Sequence, residues 1–260
     1  MMKYTKKICR ILLIAAFWFL VWWGASTLYG KPLLFPSPID VIKTLGQLSA
    51  TTDFYVIVAN SIVNVVFGLI IAVVCGILLA ILTSSIPLTR ELLHPIMTVI
   101  KATPVASFII LAYVLIGAGR VPSFITFLIV LPVVWTNLDM GWHKIDPQLH
   151  EVANVYRFSP LKKMRILIIP SVSPYLISAC RTSLGLAWKA GIAAEIIAMP
   201  RNTIGVMIGN AKQYLETTEV FAWTLTVILL SLLIEFGFSA MLKKLSKKFP
   251  IQEVDGNAEI

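Results

Sequence analysis

The chain has 260 residues, of which 58% are hydrophobic and 13% are charged, and its mean hydropathy is +0.85. This composition excludes an ordinary soluble domain and indicates a polytopic membrane protein. The net charge of +9 is typical of contact with anionic lipid, so we expect a bilayer and no nucleic acid as partner. The cysteines and histidines have no metal-ligand spacing, and we predict neither a metal site nor a cofactor.

Six largely apolar segments are long enough to cross a bilayer as helices. They are about Ile11–Leu28, Asn60–Leu82, Ile96–Leu115, Val121–Leu138, Ser171–Met199 and Val220–Leu242. Pro95, Lys101 and Pro104 interrupt the third segment, which we expect to be short. The sequence therefore predicts an all-α membrane protein with six transmembrane helices.

The distribution of basic residues predicts the orientation in the membrane. With the N-terminus inside, 15 of the 22 Lys and Arg residues fall in cytoplasmic segments and 5 in outer segments, while Arg181 and Lys189 lie within a span. Both termini are then cytoplasmic. We expect an N-terminal helix with an outer amphipathic segment (1–55), a transmembrane domain (56–242) and a cytoplasmic tail (243–260).

The segment between the fourth and fifth predicted spans is amphipathic and basic. Asp146-Pro147 and Ser159-Pro160 each combine an N-cap residue with a proline at the first helical position. The first helix carries an apolar stripe at i, i+3, i+4 and i+7, made of Leu149, Val152, Ala153 and Tyr156. A second helix carries the stripe Leu161, Met164 and Ile168. Two short amphipathic helices in a cytoplasmic loop (143–168, hereafter the coupling loop) predict a docking platform for a soluble partner, with Ala153 in the contact.

Ionisable side chains within the fifth predicted span are the candidates for a transport function. On a helix, Glu195 lies about 40° and Lys189 about 80° from Arg181 around the axis, so the three can line one broad face with Trp188 at its edge. Such groups usually face protein or a water-filled path. Two interpretations stay open: the four residues line a transport path, or they make interhelical hydrogen bonds and ion pairs. For Asn60 and Asn64 in the second span we favour interhelical hydrogen bonding.

Rows of small residues recur every fourth position in two spans. They are Gly68, Ala72, Gly76 and Ala80 in the second span, and Ala179, Ser183, Ala187 and Gly191 in the fifth. This spacing allows helices to approach closely, within the chain or at a subunit interface.

The chain has no GxxxxGK[ST] loop, no GxSxG sequence and no HExxH sequence. We therefore predict a transport subunit rather than an enzyme. If transport is driven by ATP, the ATPase is a separate chain.

The coupling loop resembles the EAA loop of binding-protein-dependent ABC importer permeases, whose pattern is E-A-A-x3-G-x9-I-x-L-P. Glu151, Val152 and Ala153 stand at its opening and Pro170 at its close, with the spacing kept. Arg157 occupies the usual Gly position. Further segments are similar to the sulfonate/nitrate/taurine-type branch: Phe35-Pro36-Ser37-Pro38, Pro104, and Leu184–Trp188 followed by Ala193-Ala194-Glu195. One difference is Asn64, which stands where that branch often has Arg.

The resemblance implies a type I importer permease in a bacterial cell membrane, working as a homodimer. Two copies of a cytoplasmic ATPase would contact the coupling loops through Glu151, Val152, Ala153, Tyr156, Arg157 and Pro170. An extracytoplasmic protein would deliver a small solute, such as a sulfonate, taurine or nitrate, or alternatively a thiamine precursor. Two rival functions stay open. One is a secondary transporter or channel that uses Arg181, Lys189 and Glu195, and the other is a membrane scaffold.

Overall fold

The computed structural model describes residues 2–248, and this range contains helices and turns but no strand. The α-helices are α1 (Met2–Tyr29), α2 (Pro38–Ser49), α3 (Thr52–Ser85), α4 (Pro87–Ala102), α5 (Val105–Ile116), α6 (Val121–His143), α7 (Pro147–Val155), α8 (Pro160–Lys163), α9 (Ile169–Ala198), α10 (Ile204–Gln213) and α11 (Thr217–Lys248). The predicted all-α class is confirmed. Of the predicted tail, residues 249–260 lie outside the described range, and α11 continues through 243–248.

Four helices in the described range, α1, α3, α6 and α11, are long and apolar enough to cross a membrane. A fifth candidate is the pair α4 and α5, which are bent by 104° relative to each other. The bend lies at Thr103-Pro104, because proline lacks the N–H that a continuous helix needs and disfavours helical backbone at the preceding residue. The predicted interruption of the third span is thus observed, and the short helix after the bend, α5, begins at Val105.

The fifth predicted span corresponds to α9, a helix of 30 residues. At 1.5 Å per residue it is long enough to cross a bilayer. It is not among the candidate spans identified by length and hydropathy, and it contains Arg181, Lys189 and Glu195. Helix length and hydropathy therefore do not confirm the predicted number of six spans.

The core of the protein is formed where α6 packs between α3 and α9. A side chain at Gly68 would collide with the backbone of Ser123 in α6, and one at Gly191 would collide with Val65 in α3. All eight members of the two small-residue rows are buried within the chain. The rows therefore pack helices of one chain together, and they leave no exposed surface for a subunit interface.

Helix α4 is held against α6 by polar contacts near the coupling loop. The Arg90 guanidinium lies 2.9 Å from the Asp139 carboxylate, and the Lys101 ammonium donates to Thr136 Oγ1 at 2.7 Å. The Asp139 side chain is largely buried, so this pair is better shielded from solvent than a surface ion pair. These contacts fix the position of α4 relative to the helix that leads into the loop.

Candidate functional site

The coupling loop begins with α7, and its start is the predicted one. The Asp146 carboxylate accepts a hydrogen bond from the Gln148 N–H at 2.9 Å, and Pro147 occupies the first helical position. The second predicted helix is not separate: α8 continues through a π-helical turn (Met164–Ile168) directly into α9. Pro170 lies where the π-helical turn passes into α9, and as a proline it supplies no N–H to this continuous helical segment. The loop is therefore one short helix joined by a turn to an extension of α9.

The turn after α7 is a Schellman motif. The Phe158 N–H donates to the Ala153 carbonyl at 2.9 Å, and the Arg157 N–H donates to the Asn154 carbonyl at 3.0 Å. Arg157 has a φ of +49°, in the left-handed region that favours glycine. The backbone thus keeps the conformation that the usual Gly would adopt, even though this chain has Arg there.

Arg157→Gly is expected to stabilise the turn by about 1 kcal/mol, because the left-handed conformation is strained for a residue with a Cβ atom. Hydrogen exchange of a peptide covering 147–163 would measure this as slower local opening. Asn154→Gly is the matched control and should speed exchange, since Asn154 lies within the right-handed α7. Faster exchange in Arg157→Gly would show that the turn does not have this conformation.

The predicted apolar stripe of α7 is divided between two surfaces. Ala153 is 4% exposed and packs with Ile145, Leu167 and Ile168 in a small core under the loop. Five exposed apolar or aromatic side chains form what we call the loop surface: Leu149, Val152, Val155, Tyr156 and Leu161. Glu151 and Arg157 are also exposed. Ala153 therefore supports the loop from inside and does not contribute to the loop surface.

Glu195 is fully buried near the end of α9. Its Oε2 accepts hydrogen bonds from Ser61 Oγ at 2.8 Å and from the Gly205 N–H at 3.2 Å. Ser61 Oγ in turn accepts from the Ile204 N–H at 2.9 Å. We call these residues the Glu195 cluster. It joins α3, α9 and the start of α10, which agrees with the structural interpretation of this carboxylate.

The four candidate path residues of α9 do not share one surface. Trp188 is buried, and its indole N–H donates to the Val227 carbonyl of α11 at 3.0 Å. Arg181 and Lys189 are exposed, and neither has a carboxylate within ion-pair distance in the described residues. The structure thus brings Trp188 and Glu195 into the protein interior and leaves only the two cations accessible. Glu195 therefore shares no exposed face with the two cations, because α3 and α10 cover this carboxylate.

Asn60 hydrogen-bonds to the segment between α9 and α10, whereas the sequence predicts a bond to another helix. Its side-chain N–H donates to the Asn202 carbonyl at 3.0 Å. Ser61 and Gly205 are not among the site residues that the sequence predicts. Ser61 lies seven residues before Gly68, a spacing that places it on the same buried face of α3. A side chain at Gly205 would collide with Glu195, and no sequence pattern marks this contact.

A family model described as "Binding-protein-dependent transport system inner membrane component" matches residues 72–249, more than half of the chain. The chain belongs to this family. It is therefore a permease subunit of the ABC importer type, a membrane transport protein and not itself an enzyme. The permease family also places it in the inner membrane of bacteria.

Individual relatives agree with this assignment. The permease is 26% identical over 234 residues to the taurine transport system permease protein TauC of Escherichia coli (strain K12), covering 87% of this chain and 84% of the relative. It is 26% identical to the nitrate import permease protein NrtB of Synechocystis sp., and the match covers 93% of this chain and 90% of the relative. It is 31% identical to the bicarbonate transport system permease protein CmpB of the same organism, and the match covers 70% of this chain and 66% of the relative.

A solved structure confirms the fold. The crystal structure of an amino acid ABC transporter with histidines matches with a TM-score of 0.62 at 17% identity, over 79% of this chain and 98% of that chain. At this identity the likeness shows the fold alone. The predicted permease architecture and the sulfonate/nitrate/taurine-type branch are thus both confirmed.

Proposed function

We propose that this permease forms, as a homodimer, the transmembrane path of an ATP-driven importer for a small anion such as a sulfonate, taurine or nitrate. An extracytoplasmic binding protein delivers the solute, and two copies of a separate cytoplasmic ATPase drive transport. The relatives named for taurine and nitrate support this solute class. The thiamine-precursor alternative has no such support among the relatives described above.

The loop surface is the observation that carries the ATPase proposal. Leu149, Val152 and Tyr156 are 47%, 48% and 72% exposed, although they are apolar or aromatic and lie on a short helix outside the core. An exposed apolar stripe on a helix is typical of a helix that binds in a groove of another protein. Glu151 is exposed on the same helix and can add a polar contact at the rim.

The connections of the coupling loop can transmit movement to the transmembrane helices. The small core of Ile145, Ala153, Leu167 and Ile168 joins α7 to the extension of α9. Because α8, the π-helical turn and α9 follow each other without a break, displacement of α7 would move α9 as a body. Helix α9 carries the two exposed cations, so the loop and the solute path would be coupled through a single helix.

Arg181 and Lys189 are the proposed contacts to the solute. A charged side chain at membrane depth is costly unless it faces water, protein or a counter-ion. Both side chains are exposed in the isolated chain and have no ion-pair partner in the described residues. We assign them to a water-filled path between two permease subunits, where positive charge favours an anionic solute. Trp188 supports this surface from behind through its bond to α11.

The orientation is tested by cysteine labelling in intact cells. Cys9, Cys75 and Cys180 are free and would first be replaced. Lys162→Cys, in the coupling loop, is then expected to resist a membrane-impermeant maleimide added outside and to react after the cells are opened. Efficient labelling from outside would place the loop on the wrong side of the membrane for a cytoplasmic ATPase, and the proposal would fail.

A further inference from the structure

A polar cavity of about 570 Å³ lies where α3, the turn before α6 and the segment between α9 and α10 meet. We call it the Asn60 cavity, after a residue in its wall. Its lining includes Asn60, Asn64, Arg201 and Thr203. The volume is within the range of cavities that hold small molecules. It lies at the opposite end of α9 from the coupling loop.

Arg201 gives the cavity its charge. It is the only ionisable residue in the lining, and in the described residues it has no carboxylate within ion-pair distance. The Glu195 carboxylate is not part of the lining: it is fully buried and accepts hydrogen bonds from Ser61 and Gly205. An arginine guanidinium offers several N–H donors in one plane, which suits carboxylate, sulfonate or nitrate oxygens.

The segment that carries Arg201 is fixed in position. Met199 and Asn202 have φ angles of +51° and +53°, which non-glycine residues adopt only when their surroundings hold them. The Asn202 carbonyl accepts from Asn60, the Ile204 N–H donates to Ser61, and the Met199 N–H donates to the Glu195 carbonyl. A cation held on such a segment needs little reorganisation when an anion binds.

We propose that the Asn60 cavity binds a small oxyanion through Arg201, with Asn60 as a second hydrogen-bond donor. An asparagine amide has two N–H groups, and only one is used by the Asn202 carbonyl. This inference rests on the proposed function: in the predicted orientation the cavity lies on the outer side, where an anion delivered by the binding protein would first meet the permease. The Glu195 cluster then has a positioning role, because it holds the segment that carries Arg201.

The test uses cysteine chemistry as a probe of the cavity. Val63 lines the cavity and is 63% exposed, so Val63→Cys in a cysteine-free permease gives a reactive group beside Arg201. The complete transporter in nanodiscs is labelled with the anionic sulfonatoethyl and the cationic trimethylammonioethyl methanethiosulfonates. The labelling rate of the anionic reagent, divided by that of the cationic reagent, should fall about tenfold when Arg201→Gln is added. This is the effect expected for loss of one nearby positive charge. Millimolar taurine or nitrate should slow labelling only while Arg201 is present.

Leu34→Cys is the matched control, because Leu34 is 53% exposed and does not line the cavity. Its rate ratio should not respond to Arg201→Gln. An unchanged ratio at Val63→Cys, or the absence of protection by either anion, overturns the inference. Labelling in nanodiscs requires neither transport nor a particular orientation. A failure to import anions would therefore count against the proposed function and leave the result for the cavity intact.

Discussion

Val152→Asp is expected to abolish ATP-driven uptake while the permease still folds and inserts normally. Val152 is 48% exposed on the loop surface, so a carboxylate there is solvated in the isolated permease. In the complex the same carboxylate would be buried in an apolar contact without a partner, at a cost of several kcal/mol. We expect uptake and co-purification of the ATPase to fall at least about tenfold, since 1.4 kcal/mol corresponds to that factor.

Asn154→Asp is the matched control for this prediction. Asn154 is exposed on the same helix, about 160° away from Val152 around its axis. The substitution adds the same charge but should leave ATPase binding intact. Val152→Asp with normal uptake would remove α7 from the proposed interface. Ala153→Asp, which the sequence alone would recommend, does not separate docking from folding, because Ala153 is buried under the loop.

Glu195→Ala is expected to lower the thermal stability of the permease strongly. The change leaves the Ser61 hydroxyl and the Gly205 N–H without their buried acceptor. Each unsatisfied group costs about 1–3 kcal/mol, so we expect a loss of about 3 kcal/mol in the free energy of unfolding. The melting temperature of the permease in nanodiscs measures this, and uptake should fall with the amount of folded protein.

Lys189→Ala provides the contrast on the same helix. Lys189 is exposed and has no ion pair among the described residues, so its loss should change the free energy of unfolding by no more than about 0.5 kcal/mol and leave the melting temperature nearly unchanged. Uptake should nevertheless decrease if Lys189 contacts the solute. If Lys189→Ala destabilises the permease as much as Glu195→Ala, the two residues belong to one buried network and the assignment of separate roles is wrong.

The sequence predicts the parts of this fold that depend on local patterns. The predicted caps at Asp146-Pro147 and Ser159-Pro160 both begin helices, because cap geometry depends only on neighbouring residues. The bend at Thr103-Pro104 has a local signal as well, although its size of 104° does not follow from the sequence. Proline predicts that a helix is interrupted, whereas the angle depends on how α4 packs against α6.

The side chains of α9 show why the candidate site could not be predicted fully. Helical periodicity places Glu195 about 40° from Arg181, which indicates one face. The neighbours of a helix change along its length, and at the level of Glu195 that face is covered by α3 and α10. Ala153 shows the same limit, since the stripe of α7 contacts both the core under the loop and the solvent. Periodicity gives a direction around a helix but does not identify what lies in that direction.

The assignment as a subunit of an ATP-driven importer is tested by uptake into proteoliposomes that contain this permease and its ATPase, with the binding protein added outside and ATP inside. We predict accumulation of a small anion such as taurine or nitrate that requires ATP and the binding protein and is lost with Val152→Asp. Accumulation that persists without ATP and the binding protein, driven by an ion gradient instead, would contradict the assignment as a subunit of an ATP-driven importer.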